Sequence, residues 1–324
     1  MTLDLKNKRI LEELMENKIF IQIIKELCNE MNIYIDILSY DWILKLSKNN
    51  KTKYIVANKF DLNTEAIGNI ACDKYATFEV LKSNNVPVVE HYMLFNPQNR
   101  SAYTNDTFLF DLLAYFNKNE QTVVVKPNNG YHGKNVYLCK NQKELFASIY
   151  KLFIDNDSIS ICPYYNIHTE YRVFYLDGSC VLIYGKKKPY IVGNGKNDII
   201  TLISKLNLPD NNIVKENLSN LDLNYIPNNN EIVELSWKHN LSGGATPFII
   251  KDDELKSRIV QLASLVGKTT NIRFATVDII HTTNNNLYVL EINSGISSTK
   301  FIDNIENGYE LAKDIYKKAL EKMF

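Results

Sequence analysis

Two short apolar runs near the end of the chain, Ala275–His281 and Leu287–Ile292, are separated only by an asparagine-rich turn at 283–286. A connection this short joins strands that pair as an antiparallel hairpin, because a parallel crossover needs roughly a dozen residues or more. A second hairpin is predicted at the Asp177–Gly178 turn. Helical segments lie between such hairpins, so the sequence predicts an α+β fold in which helices cover the sheets.

Helical periodicity is clear at 4–31 and at 308–322, and Asp73 is placed to cap a helix that runs through Ser83. Further helices are predicted at 105–118, 141–154, 196–206 and 252–266. Residues 1–70 combine a helix with short strands, and we expect them to form a small N-terminal α/β unit.

The composition excludes several classes of protein. Lysine and arginine total 37, as do aspartate and glutamate, so no basic excess indicates a nucleic-acid partner. No run approaches the ~20 apolar residues that cross a bilayer, and the polar N-terminus does not resemble a signal peptide. The five cysteines lack a CxxC pair, and the five histidines are scattered. We therefore expect a cytoplasmic protein with reduced thiols, no membrane association and no zinc site.

The hairpin of 275–292 carries polar side chains that are unusual in strands this apolar. Glu291 and Asn293 are two residues apart, so both point to one face of their strand, and Asp278 lies on the neighbouring strand. Two carboxylates and an amide oxygen on one face suit a hard cation such as Mg²⁺. The solvated face of an edge hairpin would carry the same residues, and the pattern alone favours neither interpretation.

A strand-end lysine and a glycine-containing loop form a second candidate site. Lys126 ends the apolar run 122–126, and Gly130 and Gly133 follow before the next predicted strand. Backbone N–H groups of such a loop can surround phosphate oxygens while the lysine supplies a positive charge. The spacing differs from that of a Walker loop. An ordinary hairpin would explain the same residues. Lys74, which follows Asp73 at the start of a predicted helix, is a further candidate, and the alternative there is an exposed residue of the first helical turn.

Two further segments combine charged side chains with a strand or with glycines. Alternation places Glu170 and Arg172 on one face of a predicted strand, where they form either a cross-sheet ion pair or a site for ribose and phosphate. Lys238 and Asn240 precede Gly243-Gly244 in a polar run that is typical of an anion-binding or substrate-covering loop. A plain surface loop is the alternative.

In their order along the chain, these motifs resemble those of ATP-grasp ligases over about residues 60–300. Three stretches are similar to the ATP-grasp part of cyanophycin synthetase and of bifunctional glutathione synthetase. They are LNTEAIGNIACDKYAT (62–77), YIVGNGKNDIITLI (190–203) and YIPNNNEIVELSWKHNLSGGATP (225–247). The last is the most specific, since it combines a proline-containing turn, a strand and an Asn-Leu-Ser-Gly-Gly loop.

The resemblance implies an ATP-grasp fold, in which two α+β subdomains clasp ATP. The small nucleotide-binding subdomain would comprise residues 71–166, and the large subdomain with the metal site residues 167–324, after the N-terminal unit of residues 1–70. The expected cofactors are ATP and one or two Mg²⁺ ions, for which Mn²⁺ can substitute.

The resemblance also implies roles for individual residues. The expected ATP-binding residues are Lys74, Lys126, Gly130, Gly133, Pro163, Tyr164, Tyr165 and Glu170. Of these, the lysines would hold phosphates, the loop 128–135 would cover them, and Glu170 would bind ribose. Strand 160–166 lies where such ligases line the adenine. The expected metal ligands are Asp278, Glu291 and Asn293. The expected catalytic residues, facing phosphate or acylphosphate, are Arg172, Lys238 and Asn240.

The implied reaction is carboxylate–amine ligation on small amino-acid-like substrates. ATP would phosphorylate a carboxylate, and an amine would attack the acylphosphate to give an amide, ADP and phosphate. Two alternatives stay open. One is action on a carrier-bound or ribosomal peptide, whose groove the polar segment 207–230 would line; the other is an inactive nucleotide-binding regulatory protein. We expect a stand-alone enzyme without a partner domain, and a homodimer is compatible with it.

Three positions depart from the pattern of these ligases. Asn293 is followed by Ser-Gly-Ile-Ser where the family has a proline three residues on. Ala245-Thr-Pro247 stands where an aspartate is common, and Cys162-Pro163 replaces a Glu-Lys-like pair. All three lie around the expected substrate and adenine walls, so the motifs leave the identity of both substrates open.

Overall fold

The computed structural model describes residues 18–99, 108–130, 133–206 and 221–324, apart from the side chain of Lys300. The start of the predicted helix at 4–31, the start of that at 105–118 and part of the segment 207–230 therefore lie outside the described residues.

The N-terminal part consists of helix α1, residues 18–30, packed on a small antiparallel sheet. In spatial order its strands are β1 Tyr34–Leu38, β2 Ile43–Lys48, β3 Lys51–Val56 and β4 Lys59–Phe60. The lysine- and asparagine-rich stretch 49–53 forms the turn between β2 and β3 and the first three residues of β3. Asn49 and Asn50 have φ of 48° and 61°, which lets them close a tight hairpin turn between β2 and β3.

The second sheet is antiparallel throughout, and helices cover one of its faces. Its strands, in spatial order, are β5 Tyr92–Phe95, β8 Ser158–Pro163, β6 Val123–Pro127 and β7 Tyr137–Cys139. Helices α4 Phe108–Lys118 and α5 Gln142–Phe153 lie on the face that carries Val123 and Val125. Because side chains alternate along a strand, Val124 and Lys126 point to the opposite, uncovered face.

The third sheet is also antiparallel and is the largest. Its strands, in spatial order, are β13 Thr246–Ile249, β10 Ser179–Lys187, β9 Ile167–Leu176, β14 Phe274–Thr282 and β15 Leu287–Asn293. The hairpin turn predicted between β9 and β10 is confirmed, with φ of 42° at Asp177 and 90° at Gly178, the positive values that a type I′ turn requires. The β14–β15 hairpin is confirmed as well. Together the three antiparallel sheets and their helices confirm the α+β class.

The remaining elements connect or cover these sheets. They are α2 Glu65–Cys72, α3 Lys74–Ser83, β11 Tyr190–Val192 paired with β12 Ile232–Glu234, α6 Ile199–Ser204, α7 Asp253–Thr270, α8 Thr299–Ile302 and α9 Gly308–Met323. Asp73 caps α3 as predicted, since its carboxylate accepts a hydrogen bond from the N–H of Ala76 at 2.7 Å. None of the described helices has the length and hydrophobicity needed to cross a membrane.

One continuous core joins the two ends of the chain. Phe20 of α1 meets Tyr316 of α9 edge-on, with ring centroids 5.1 Å apart, and Phe60 of β4 meets Phe274 of β14 in the same way at 5.1 Å. These rings belong to a cluster that also contains buried residues of β2, β3, β9 and β10. The small N-terminal sheet is thereby held against the β9–β10–β14 face. The division at residues 70 and 166 stays a prediction.

Candidate active site

A cleft of about 1040 Å³, including its open mouth, is lined by the uncovered faces of the second and third sheets and by the loops beside them. All of the predicted site residues except Asn293 line it. They are Lys74, Lys126, Gly130, Gly133, Pro163, Tyr164, Tyr165, Glu170, Arg172, Lys238, Asn240, Asp278 and Glu291. Asn293 lines an adjoining chamber that shares Gly130, Arg172 and Glu291 with the cleft. Residues from five separate segments of the sequence therefore meet at one place.

One end of the cleft is apolar. Val124 and Cys162 of the second sheet face Ile280 and Leu290 of the third, and all four belong to one hydrophobic cluster. Tyr164 and Trp237 close the side, with ring centroids 6.0 Å apart in an edge-to-face arrangement. Walls of this kind suit a flat heterocycle.

Two lysines enter the cleft from the second sheet and from α3. Lys126 is only 6% exposed, and no described residue lies within hydrogen-bond or ion-pair distance of its ammonium group. Lys74 is equally buried and donates to the carbonyl oxygens of Gly130 at 2.6 Å and Asn128 at 3.2 Å. Burial lowers the pKa of Lys74, Glu291 opposes that effect, and the positive charge of Lys126 adds to it. Two close, buried ammonium groups favour an anionic ligand between them.

The glycine loop is tied to the start of α3 through one side chain. The amide of Asn128 donates to the carboxylate of Asp73 at 2.7 Å and accepts from the N–H of Tyr75 at 3.1 Å. Asp73 thus fixes the loop as well as capping the helix. Lys74 is therefore buried and hydrogen-bonded to this loop, and the alternative of an exposed residue in the first helical turn does not hold. Tyr131 and His132, at the tip of the predicted loop 128–135, lie outside the described residues.

The third sheet presents a row of polar side chains to the cleft and to the adjoining chamber, one from each of four strands. The β-register places Tyr184 of β10 opposite Arg172 of β9, Arg172 opposite Asp278 of β14, and Asp278 opposite Glu291 of β15. The alternation rule expected Glu170 beside Arg172 and Asn293 beside Glu291, each two residues along the same face. The register bears this out, since Glu170 lies opposite Lys186.

Four of these charges form a buried network. Arg172 donates to both carboxylate oxygens of Asp278, from Nε at 2.7 Å and from Nη2 at 2.5 Å. Lys186 contacts Asp278 Oδ1 at 3.2 Å and also pairs with Glu170. Burial acts to raise the pKa of Asp278, but Arg172 and Lys186 more than offset it and hold that pKa well below its ordinary value. Burial raises the pKa of Glu170 despite Lys186.

Lys186 was missed by the sequence analysis. The strand expected from the sequence covered only 180–184, so Lys186 lay beyond its end. In the structure β10 continues to Lys187, so Lys186 faces the network and is 4% exposed. Its two-residue spacing from Tyr184 was the available signal, provided that the strand had been extended.

The predicted metal ligands Asp278, Glu291 and Asn293 lie on the β14–β15 hairpin and differ in how far their oxygens are available. Within the described residues, no group of three or more histidine, cysteine, aspartate or glutamate side chains is arranged to hold a metal ion. Both oxygens of Asp278 are occupied by cations, whereas Glu291 is a quarter exposed and accepts from Asn293 Nδ2 at 3.2 Å. The carboxylate of Glu291 and the amide oxygen of Asn293 fit a Mg²⁺ ion that takes its other ligands from phosphates and water.

A loop from 237 to 244 closes the cleft on the side of the glycine loop. Lys238 is buried beside Trp237, with its ammonium group 5.5 Å from the ring centroid. Asn240 lies so close to Gly133 that a Cβ on that glycine would be 2.4 Å from Asn240 Nδ2. His239 also lines the cleft, and burial together with Lys188 and Lys186 lowers its pKa to about 4. Its imidazole is therefore neutral at neutral pH.

Comparisons with known proteins show what the chain is similar to in sequence and in fold. No family model matches the chain. Cyanophycin synthetase of Trichormus variabilis is 27% identical over 233 residues, which are 66% of this chain and 24% of that protein. The glutathione biosynthesis bifunctional protein of Lactiplantibacillus plantarum is 22% identical over 166 residues, 51% of this chain and 21% of that protein. The chain thus spans less than a quarter of the length of these curated relatives.

A solved structure has a fold similar to that of this chain. The bifunctional glutathione synthetase from Pasteurella multocida superposes with a TM-score of 0.54 at 18% identity, over 88% of this chain and 42% of that one. At that identity the likeness concerns the fold. In sequence and in fold, the chain is therefore similar to ATP-grasp ligases, as its motifs indicate.

Proposed function

We propose that this chain is an ATP-dependent carboxylate–amine ligase that forms an amide or peptide bond on a small amino-acid-like substrate through an acylphosphate. The observation that carries the proposal is the composition of the cleft. It is apolar at one end, and at the other two buried lysines lie across from Arg172, Glu291 and Asn293. This division suits a molecule with a flat base and a polyphosphate.

ATP would bind with its adenine between Val124 and Leu290 and its phosphates towards Lys74 and Lys126. Lys126 has no described partner to give up, so it offers its charge to a phosphate at little cost. Glu170, beside the apolar end, would accept from the ribose. A Mg²⁺ ion held by Glu291 and Asn293 would neutralise phosphate charge.

Phosphoryl transfer needs alignment and charge compensation more than a covalent protein group. Arg172 is held in a fixed orientation by two hydrogen bonds to Asp278, so its guanidinium is preorganised beside the shared wall of cleft and chamber. There it would orient the substrate carboxylate and stabilise the acylphosphate. Lys238 and Asn240 would cover the transferred group from the opposite side.

The test is a screen for phosphate release from ATP with pairs of amino acids and amines, in wild-type protein and in Glu291→Gln. We expect release that needs both substrates, and its loss in Glu291→Gln with little change in stability, because the Glu291 side chain is a quarter exposed and its ion pair with Lys74 is long, at 4.0 Å. Glu310→Gln, an exposed change on α9, is the matched control and should keep full activity. Turnover in Glu291→Gln would contradict the site assignment, and ATP binding without turnover of any pair would favour the regulatory alternative.

A further inference from the structure

A second chamber adjoins the phosphate end of the cleft, on the far side of Arg172. It shares Gly130, Arg172, Lys186, Asn240 and Glu291 with the cleft and extends past Asn293 to the small N-terminal sheet. Any molecule that reacts with a phosphorylated carboxylate at Arg172 has this space available to it. The residues that line this chamber would therefore contact the substrate and determine which substrate binds.

The outer wall of the chamber comes from the turn between β3 and β4 and from Trp42. This wall is fixed to the segment that follows Asn293. The N–H of Ile296 donates to the carbonyl of Asn58 at 2.9 Å, and the N–H of Ala57 donates to the carbonyl of Trp42 at 2.8 Å. Gly295 approaches so closely that a Cβ there would lie 2.6 Å from Asn58 Oδ1. The wall thus has a defined position relative to Glu291 and Asn293.

The charges of the chamber are unevenly matched. Arg172 and Lys186 are neutralised by Asp278 and Glu170 in the buried network. Glu291 lies 4.0 Å from Lys74. That leaves Lys59 on the outer wall, which has no hydrogen-bond or ion-pair partner among the described residues. The rest of the lining is largely uncharged and polar, so the exposed ammonium group of Lys59 is the positive charge of the chamber that has no described counter-ion.

The other lysines of the same sheet are either paired or lie outside the chamber. Lys45 pairs with Asp36 at 3.5 Å, Lys53 pairs with Asp61 at 3.2 Å, and Lys51 donates to the carbonyl of Phe324 at 3.1 Å. Lys48 also lacks a described partner, but it lies outside the chamber. Lys59 is therefore the lysine of this sheet that an anion in the chamber would meet.

We propose that the chamber binds a substrate carboxylate that the reaction does not consume, with Lys59 as its counter-ion. The inference rests on the proposed function and narrows its substrate class. In amide formation one carboxylate is activated at Arg172, and a second, spectator carboxylate belongs either to an α-amino acid that supplies the amine or to a dicarboxylic acid that is activated. Simple amines and monocarboxylic acids in combination would leave Lys59 unmatched.

The test compares wild-type protein with Lys59→Met, Lys59→Arg and the control Lys48→Met. Phosphate release from ATP is measured with each active amino acid and with its α-amide, which distinguishes an amine substrate that carries the spectator carboxylate. Aspartate and glutamate are compared with alanine as the activated acid, which distinguishes the second source. A charge-assisted contact corresponds to about a tenfold or larger effect on KM.

We expect Lys59→Met to raise the KM of the carboxylate-bearing substrate about tenfold while the KM of ATP and kcat change less than about twofold. Lys59→Arg should restore most of the affinity, and Lys48→Met should behave as wild type. Removing the spectator carboxylate, either with the α-amide of the amine substrate or with alanine in place of a dicarboxylic acid, should weaken binding to wild-type protein. An unchanged KM in Lys59→Met for both the amine substrate and the activated acid would overturn the inference while leaving the ligase proposal intact. Equal use of amino acid and α-amide, together with equal use of aspartate, glutamate and alanine, would overturn it as well.

A second readout separates the two proposals. Calorimetric binding of the same amino acids and α-amides is measured in the presence of a non-hydrolysable ATP analogue. If no pair supports phosphate release, the ligase proposal fails, but amino-acid binding that needs Lys59 would still support the chamber. Amino-acid binding of the same affinity in wild-type protein and in Lys59→Met, for aspartate and glutamate as well as for the other amino acids, would contradict it.

Discussion

Replacement of Lys186 by methionine tests the buried network, and the neighbouring Lys187 provides the control. Lys186 is buried between Asp278 and Glu170, whereas Lys187 is exposed and lies 4.2 Å from the ring centroid of Tyr190. Both substitutions remove one positive charge from the same strand. Only the first removes it from a site that solvent does not reach.

The expected cost follows from the contacts. Two unit charges 3.2 Å apart, the separation of Lys186 and Asp278, attract by about 5 kcal/mol at an effective dielectric constant of 20. Much of this is offset by the cost of burying the charges. After the substitution Asp278 keeps Arg172, but Glu170 loses its cation and can escape the cost only by taking up a proton. From its ordinary pKa of 4.5, protonation at pH 7 costs about 3.4 kcal/mol.

The deficit should therefore depend on pH. Burial already raises the folded pKa of Glu170 in the wild-type protein, and the loss of Lys186 raises it further. The folded variant therefore binds more protons than the folded wild-type protein, and its stability deficit grows as the pH rises through that window. We expect Lys186→Met to lose about 3 kcal/mol of unfolding free energy at pH 7 and less than about 1 kcal/mol at pH 5. Lys187→Met should lose about 0.5–1 kcal/mol at both.

Urea unfolding of the three proteins at pH 5 and pH 7 measures these differences. Phosphate release, measured in parallel, should be lost in Lys186→Met and kept in Lys187→Met, because Arg172 depends on the network for its orientation. Equal stabilities of the two variants at pH 7 would refute the electrostatic argument. A deficit of Lys186→Met that is the same at both pH values would refute the role of Glu170.

Two glycines give opposite predictions. Gly133→Ala should weaken the binding of a non-hydrolysable ATP analogue severalfold in a fluorescence titration, because φ at this residue is +62° and the new Cβ would displace the amide of Asn240; the left-handed conformation alone costs about 1–2 kcal/mol for alanine. Unchanged affinity would mean that the loop does not contact phosphates. Gly68→Ala, inside α2 with only Ser294 Oγ at 3.9 Å, should raise the unfolding free energy by about 0.5–1 kcal/mol and leave nucleotide binding unaltered. A loss of stability there would contradict the space seen around it.

Local pattern was sufficient for the elements that carry the site. Alternation along a strand placed Glu291 with Asn293 and Glu170 with Arg172, and the short turns predicted both hairpins that bring them together. These are contacts between residues close in sequence or in adjacent strands. Asp73 likewise predicted the start of α3, because its side chain caps that helix.

The same reasoning could not find contacts that depend on distant segments. Lys74 is buried because the carbonyl groups of Asn128 and Gly130, more than fifty residues later, cover it. Lys186 was hidden for a related reason, since its partners Glu170 and Asp278 lie on two other strands. Both lysines carry charges that an amphipathic pattern assigns to solvent, and only their partners explain why they are inside.

Asp278 shows how a motif and a structure can emphasise different properties of one residue. In the sequence, Asp278, Glu291 and Asn293 together resemble a metal-binding set. In the structure, both carboxylate oxygens of Asp278 accept hydrogen bonds from Arg172, and one of them also contacts Lys186. The prediction that it binds metal stays open. Asp278 also holds the guanidinium of Arg172, which in the proposed reaction would face the substrate carboxylate.

The central claim, that this cleft phosphorylates a carboxylate with ATP, is tested most directly by isotope transfer. Amino acids labelled with ¹⁸O in their carboxyl groups are incubated with ATP, Mg²⁺ and the protein, and the released phosphate is analysed by mass spectrometry. We predict that phosphate carries one ¹⁸O atom from the substrate, that the nucleotide product is ADP, and that Glu291→Gln gives no labelled phosphate. Phosphate without label, or label in AMP, would contradict the account.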